Sequence, residues 1–380
     1  MDFAWSREQL AFKNAVIEFA QEKLNDQLIE RDWQSEFARD NWRKCAELGI
    51  QGLPIPERYG GAGADVLTTV LALEGLGYGC RDMGLLFSLN AHIWAVQMPI
   101  LKFGTEEQKQ KYLPGICSGQ IIGAHCMTEP DAGSDAFSLR TRARRVSDGY
   151  VLNGTKTFVT NGSVADFALV FATLDPAKQR WGISAFLVDK ATPGFAVSDN
   201  IRKMGLRTSP MNELVLDCLV PVDSRLGPEG AGASIFTNTM SWERGCSLAS
   251  HVGAMQRQLE QCIKYASERR QFNQPIGKYQ SVANRIADMK VRLETARLLL
   301  YRAAWLLDKG EPAATEASIA KLFLSESYIQ SSLDALRIHG GWGYTTEFEV
   351  ERNLRDAIGA TFYAGTSDIQ RLLIANYLGL

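Results

Sequence analysis

Apolar residues in the first third of the chain recur at helical spacing. Phe12, Val16, Phe19 and Ala20 fall on one face, and Ser6 followed by Gln9 predicts a capping box at the helix start. Thr105 with Gln108 predicts a second start of the same kind, and Pro54, Pro56, Gly60, Gly61 and Gly63 mark a turn-rich connection between them. From about residue 121 to 225 the pattern becomes strand-like, in the runs IIGAHCM, GYVL, TKTFVT, ADFALVFATL, GISAFLVD and NELVLDCLVP. Asn153-Gly154 lies between two of these runs and predicts a two-residue hairpin, because both central residues of such a turn need positive φ. Gly227, Gly230 and Gly232 predict the exit linker. Helical spacing then returns: Leu248, Val252, Met255, Leu259 and Cys262 form one face, and Val282, Ile286, Met289 and Leu293 another. A further helix is predicted from about 313 to 338, stopping at Gly340-Gly341, and a last one from near Thr366. The order is helices, sheet, helices, without βαβ alternation, so a nucleotide bound here is not expected in a Rossmann crevice.

Composition narrows the function. The 380 residues exceed what one core organises, and 46% hydrophobic with 22% charged residues is the balance of a globular chain. A net charge of −2 gives no electrostatic reason to bind nucleic acid or an anionic membrane. The segment MDFAWSREQL lacks the basic start and apolar stretch of a secretory signal, and no later run of about 18 or more uncharged apolar residues is expected to span a membrane. A cytoplasmic location is the expectation. The seven cysteines show no CxxC spacing and are expected to be reduced and buried, while His92, His125, His251 and His339 form no metal pattern, so no metal is expected.

Four segments carry residues suited to chemistry. Met127 to Asp135 leaves a strand and enters a turn rich in hydroxyls and free N–H groups, able to surround a polar ring edge or a phosphate; read alone it is equally a capped turn. Phe158 and Thr160, two residues apart, are expected on one face of a strand. Glu268 to Phe272 closes one helix and His339 to Tyr344 another; arginine beside an aromatic there can hold a pyrophosphate, or serve only the helix dipole.

The joint order of these segments resembles the acyl-CoA dehydrogenase family over essentially the whole chain. The matching stretches are PERYGGAG (56–63), MTEPDAGSD (127–135), NGTKTFVTNG (153–162), KMGLRTSPMNEL (203–214), ERRQFNQPIGKYQ (268–280), RIHGGWGY (337–344) and YAGTSDIQR (363–371). The resemblance implies an α+β multidomain fold: an N-terminal helical domain (1–120), a middle β-barrel (121–228) and a C-terminal four-helix bundle (229–380), assembled as a homotetramer with FAD between barrel and bundle. It implies that His125, Cys126, Met127, Thr128, Gly133 and Ser134 line the flavin, with Phe158, Val159 and Thr160 flanking its ring. Arg269, Phe272, Gln280, Arg337, Gly340 and Gly341 of a neighbouring subunit would hold the pyrophosphate and adenosine, and Thr366 and Asp368 would complete the site. Arg337 departs from the family, in which many members carry glutamine there.

The family's reaction removes an α-proton to a base and the β-hydrogen as hydride to the flavin. Most members place the base where this chain has Ala364, and alanine accepts no proton. A smaller branch, which includes isovaleryl-CoA and long-chain acyl-CoA dehydrogenases, takes the carboxylate from the start of a bundle helix, immediately before an arginine. Ser241-Trp242-Glu243-Arg244 matches that pattern, so Glu243 is the expected base and the Ala364 N–H an expected oxyanion donor. Read as an ordinary residue, Glu243 would be an acidic group stabilised by a helix N-terminus.

Ser134, Ser241, Trp242, Arg244 and Gly365 are expected to border the substrate. CoA-using relatives commonly carry Asp two residues before the base, where this chain has Ser241. That departure weakens a CoA reading, and the chain as a whole, including its ending TSDIQRLLIANYLGL, resembles the prolyl carrier-protein oxidising members of this branch; the resemblance implies oxidation of a prolyl group held as a thioester on a carrier protein, to a pyrroline-type thioester of secondary metabolism. A branched short-chain acyl-CoA dehydrogenase and a non-catalytic FAD-binding protein are the alternatives, and oxygen or an electron-transfer flavoprotein is the expected acceptor.

Overall fold

The computed structural model describes residues 4–380. The N-terminal part is α1 (Arg7–Lys23), α2 (Leu28–Gln34), α3 (Arg39–Glu47), α4 (Val66–Gly79), α5 (Met83–Asn90), α6 (Met98–Phe103) and α7 (Glu106–Cys117). Both predicted capping boxes form: the Ser6 hydroxyl accepts from Gln9 N while the Gln9 amide oxygen accepts from Ser6 N, and Thr105 and Gln108 repeat the exchange at α7. A π-helical stretch, Ala91–Gln97, joins α5 to α6.

The resulting rod, Met83–Phe103, is the one helix among the described residues long and apolar enough to cross a membrane, although it is not an unbroken apolar run. It is a core helix, with 83% of its apolar window buried inside the protein. The polar residues that interrupt its apolar pattern bond to other parts of the core: Ser88 to the Ser209 hydroxyl at 2.7 Å, Asn90 to Ser250 at 3.0 Å, and His92 Nδ1, which accepts from Gly123 N at 3.2 Å.

The middle part is a sheet of β1 (Gly123–Cys126), β2 (Arg142–Val146), β3 (Gly149–Thr160), β4 (Phe167–Thr173), β5 (Ile183–Asp189), β6 (Phe195–Val197), β7 (Met211–Pro221) and β8 (Arg225–Leu226). Its order is β6-β7-β3-β2-β4-β5-β8, with β1 running parallel to β4. One face of nearly every strand contributes to a single interior cluster that includes Cys126, Tyr150, Leu152, Val170, Phe186, Leu216 and Val220. The sheet thus rolls around its own core, while Phe167, Leu169, Phe171 and Leu187 on its other face pack against α6 and α7.

The Asn153-Gly154 hairpin does not form. β3 runs through both residues, Asn153 pairing with Arg142 on one side and Asp217 on the other. Gly154 is needed for close approach instead: a Cβ there would lie 2.6 Å from the Thr141 hydroxyl. The turn into β3 is at Ser147-Asp148.

The last part comprises α8 (Gly232–Cys246), α9 (Ala249–Glu268), a small hairpin of β9 (Arg270–Gln271) and β10 (Gln274–Pro275), then α10 (Gln280–Asp308), α11 (Ala314–His339), α12 (Val350–Gly359) and α13 (Ser367–Tyr377). One apolar cluster runs from α1 and α4 through α9 to α10 and α11, so the two helical layers share a core. Where α4 crosses α9 their backbones touch: a Cβ added at Gly77 would lie 1.9 Å from the Ser250 carbonyl oxygen, and one at Gly253 2.0 Å from that of Glu74. All seven cysteines are free and buried.

Candidate active site

The last turn of α8 carries Ser241, Trp242, Glu243 and Arg244, which helix geometry points in four directions. Glu243 therefore sits at the end of a bundle helix and not at its start, which corrects the sequence expectation. The helix ends at Cys246, and Ser247 N closes the final turn by donating to the Glu243 carbonyl at 3.0 Å. Its carboxylate lies at the negative end of the helix dipole, so the reading of an acidic residue stabilised at a helix N-terminus fails.

Glu243 is half-buried, and among the described residues its carboxylate receives no hydrogen bond and no ion pair. Desolvation pushes its pKa up to about 7, against the pull of Arg244 and Lys321. A carboxyl poised near neutrality with free oxygens is chemically a general base.

Arg244 turns away from Glu243 and donates from Nε to the Ala364 carbonyl at 2.9 Å. That carbonyl belongs to the turn between α12 and α13, where Ala364 (φ +55°) and Gly365 (φ +91°) are both left-handed. Gly365 is required there, because a Cβ would come within 2.7 Å of the Gln370 amide. Gln370 Nε2 donates to both carbonyls at 3.0 Å, and Lys321 Nζ donates to that of Gly365 at 2.7 Å. The Ala364 N–H has no protein acceptor among the described residues. Beside it, the Tyr363 hydroxyl pairs with His251 Nε2 at 2.9 Å; burial lowers the His251 pKa to about 3, keeping the ring neutral.

On the other side of α8, Ala233, Thr237 and Ser241, at helical spacing, line a cavity of about 400 Å³ closed by Phe137, Arg180 and Trp181. Trp242, expected beside the substrate, is turned into the core, stacked on Trp94 at 6.2 Å beneath the Lys102 ammonium. One residue along a helix rotates the side chain by about 100°, so Ser241 and Trp242 cannot share the cavity.

The segment expected to line a flavin is pinned to β3 by a buried ion pair. Lys156 Nζ lies 2.8 Å from Glu129 and donates to the Met127 carbonyl at 3.1 Å, and Thr157 N donates to that of Thr128 at 2.9 Å. Cys126, Met127 and Val159 are buried, whereas Gly133 and Ser134 are exposed and Thr128 and Thr160 half-buried. His125 packs against Phe171 and Phe236, its Nε2 buried without a partner. Phe158 and Thr160 do not simply share a face of regular strand. A bulge between Lys156 and Val159 places Phe158 at φ +55°, outside the register and 60% exposed.

A second cavity, about 570 Å³, is lined by Arg269, Gly340, Gly341, His339, Tyr265 and Trp342 among others. Gly340 ends α11 at φ +59°, and His339 stacks on Tyr265 at 4.3 Å. Phe272 stands 89% exposed at the tip of the β9–β10 hairpin, and Gln280 opens α10. Arg337 is not among the residues that line this cavity; it points outward and pairs with Asp334 at 3.5 Å. Thr366 is the N-cap of α13, its hydroxyl accepting from Ile369 N, and Asp368 is exposed beside Arg371.

Comparison with known proteins assigns these parts. Residues 6–120, 124–219 and 230–379 match the N-terminal, middle and C-terminal domains of acyl-CoA dehydrogenase. The chain belongs to the acyl-CoA dehydrogenase family. Within it, the L-prolyl-[peptidyl-carrier protein] dehydrogenase of Pseudomonas fluorescens is 43% identical over the full length of both chains. The prolyl acyl carrier protein oxidase AnaB is 53% identical, with a TM-score of 0.98 over 99% of this chain and all of that one. PigA, solved with FAD and proline, is 41% identical with a TM-score of 0.97 over both full lengths.

Four residues beside the candidate site carry no signal in the sequence pattern. Lys321 and Gln370 reach the 364–365 turn only through the fold, and Arg180 and Trp181 lie in a short 3-10 segment, Pro176–Gly182, with no motif. The buried Lys156–Glu129 pair had a signal, since both residues fall inside matching stretches, but a lone Lys in a strand reads as solvated.

Proposed function

We propose that this protein oxidises the Cα–Cβ bond of a prolyl group carried as a thioester on a carrier protein, yielding a pyrroline-type thioester. The observation that carries the chemistry is the unpartnered Glu243 carboxylate, adjacent in α8 to the Arg244 that holds the Ala364 carbonyl, together with an Ala364 N–H that has no protein acceptor among the described residues. The substrate class follows the relatives named for prolyl carrier proteins, similar to this chain over its whole length.

FAD fits the residues present. An exposed Phe158 on a bulge, the orphaned His125 Nε2, and the open Gly340-Gly341 cradle beside Arg269 are features that folding of this chain alone does not explain. His125, the main chain of Cys126 to Thr128, Ser134, Phe158 and Thr160 would hold the isoalloxazine side. Arg269, Phe272, Gln280, Gly340 and Gly341 would hold the pyrophosphate and adenosine of a flavin in a neighbouring subunit of a homotetramer. When bound, FAD supplies the acceptor for the β-hydrogen and its electron pair.

The chain supplies the rest. Glu243 takes the α-proton, a weak acid beside a thioester, and a base with a pKa near neutrality is matched to that task at physiological pH. The Ala364 N–H donates to the thioester oxygen as negative charge develops on it. Arg244 orients the turn from the residue next to the base. The cavity along Ala233, Thr237 and Ser241 receives the thioester arm, with Trp181 and Arg180 at its edge. Oxygen or an electron-transfer flavoprotein would take the electrons onward.

The test is anaerobic bleaching of the bound flavin by two thioesters. A prolyl-carrier thioester is expected to bleach it faster than isovaleryl-CoA, and the reverse preference would replace the prolyl reading with a branched acyl-CoA one.

A further inference from the structure

Lys321 sits mid-helix on α11 and is 1% exposed. Lysine is almost never buried so completely without a carboxylate partner, yet no Asp or Glu among the described residues lies within ion-pair distance of it. Its one hydrogen bond goes to a main-chain oxygen, that of Gly365, at 2.7 Å. As a device for stability this is a poor choice, since an apolar side chain of similar volume would fill the space without a desolvated charge.

Two features give the charge another use. Arg244 and Gln370 hold the Ala364 carbonyl while Gln370 and Lys321 hold that of Gly365, so both carbonyls of the left-handed turn are occupied and the Ala364 N–H is left free. The same ammonium also faces the Glu243–Arg244 end of α8. Other ionisable groups around this cluster are Tyr363 from the turn, Glu326 on α11 and Tyr377 on α13, with Lys102 over Trp242 and Asp308 near Cys246 further along α8. Among them, Lys321 and Arg244 are the cations that oppose the desolvation of Glu243.

We infer that Lys321 is a positioning residue for α-proton abstraction: it locks the turn that aims the Ala364 N–H and supplies a second positive charge beside the Glu243 base. The inference rests on the reading of Glu243 as the base. Losing the charge makes the carboxylate harder to ionise, and losing the donor frees the turn.

The experiment is anaerobic stopped-flow reduction of the FAD-loaded protein by prolyl-carrier thioester from pH 5 to 10, with flavin content and melting temperature recorded for each variant. Lys321→Met, which lacks donor and charge, is expected to lower the limiting rate about tenfold and to raise the pH midpoint by about one unit. Lys321→Gln keeps a donor without the charge, so it should recover most of the rate and keep the raised midpoint. Lys321→Arg should restore the midpoint. If Lys321→Met sheds its flavin, the midpoint of Lys321→Gln decides. Glu243→Gln, run alongside, separates the two claims. Reduction persisting in Glu243→Gln removes the base reading itself, whereas an inactive Glu243→Gln with unmoved midpoints in both neutral Lys321 variants overturns the role of Lys321 alone.

Discussion

Replacing Glu243 by glutamine is expected to make the protein more stable above neutral pH. Burial lifts the carboxyl from an ordinary 4.5 to about 7 in the folded chain. Because the folded-state value is raised, the folded protein holds a proton that the unfolded chain has released between those two pH values. Stability from this group therefore falls as pH rises through that window, and the full penalty is present above about pH 7. At about 1.4 kcal/mol per pH unit the penalty is at most about 3.5 kcal/mol, and glutamine, which cannot ionise, avoids it. Scanning calorimetry of wild type and Glu243→Gln at pH 4.5 and pH 8 reads the effect. The variant is expected to melt about 3 °C higher at pH 8 and with the wild type at pH 4.5. Equal melting at pH 8, or a lower value for the variant, would refute the claim that Glu243 is held against its solvation preference.

Other perturbations read other parts of the structure. Flavin reduction in the wild type should rise with pH to a plateau, with a midpoint near the Glu243 value of about 7, as stopped-flow at saturating thioester would record. Lys156→Met removes the counter-ion of the buried Glu129 carboxylate, leaving it the Arg140 N–H and the Thr141 N–H and hydroxyl, and should cost about 3 kcal/mol, read by denaturant unfolding, with loss of bound flavin as the 127–135 segment loosens. Phe158→Ala, at an exposed bulge, should shift unfolding by less than about 1 kcal/mol yet release flavin more readily in a dilution assay. Gly77→Ala drives a methyl into the Ser250 carbonyl and should destabilise by about 3 kcal/mol, lowering the melting temperature without altering the visible spectrum of whatever flavin is retained.

What could be read from the sequence follows how local each signal is. The Ser6 and Thr105 caps were legible because partners three residues apart decide them. The strands β3, β4, β5 and β7 showed in their patterning, whereas β2 did not, because arginines fill its exposed positions. Asn153-Gly154 misled because its turn chemistry is local while its place in β3 is set by pairing with β2 and β7. Glu243 became the candidate base through the missing carboxylate at Ala364 and its match to the branch pattern, with a helix start expected there; the break at Ser247-Leu248 that makes it a helix end carries no glycine or proline. Lys321 was invisible, since its meaning lies in a carbonyl 44 residues away in the chain.

The central claim is that Glu243 removes the α-proton of a carrier-bound prolyl thioester. Its most direct test is a single anaerobic mixing of that thioester with FAD-loaded wild type and FAD-loaded Glu243→Gln, following flavin absorbance. The account predicts bleaching in the wild type and a loss of at least about a thousandfold in rate for the variant, with flavin retained in both; equal bleaching would contradict it.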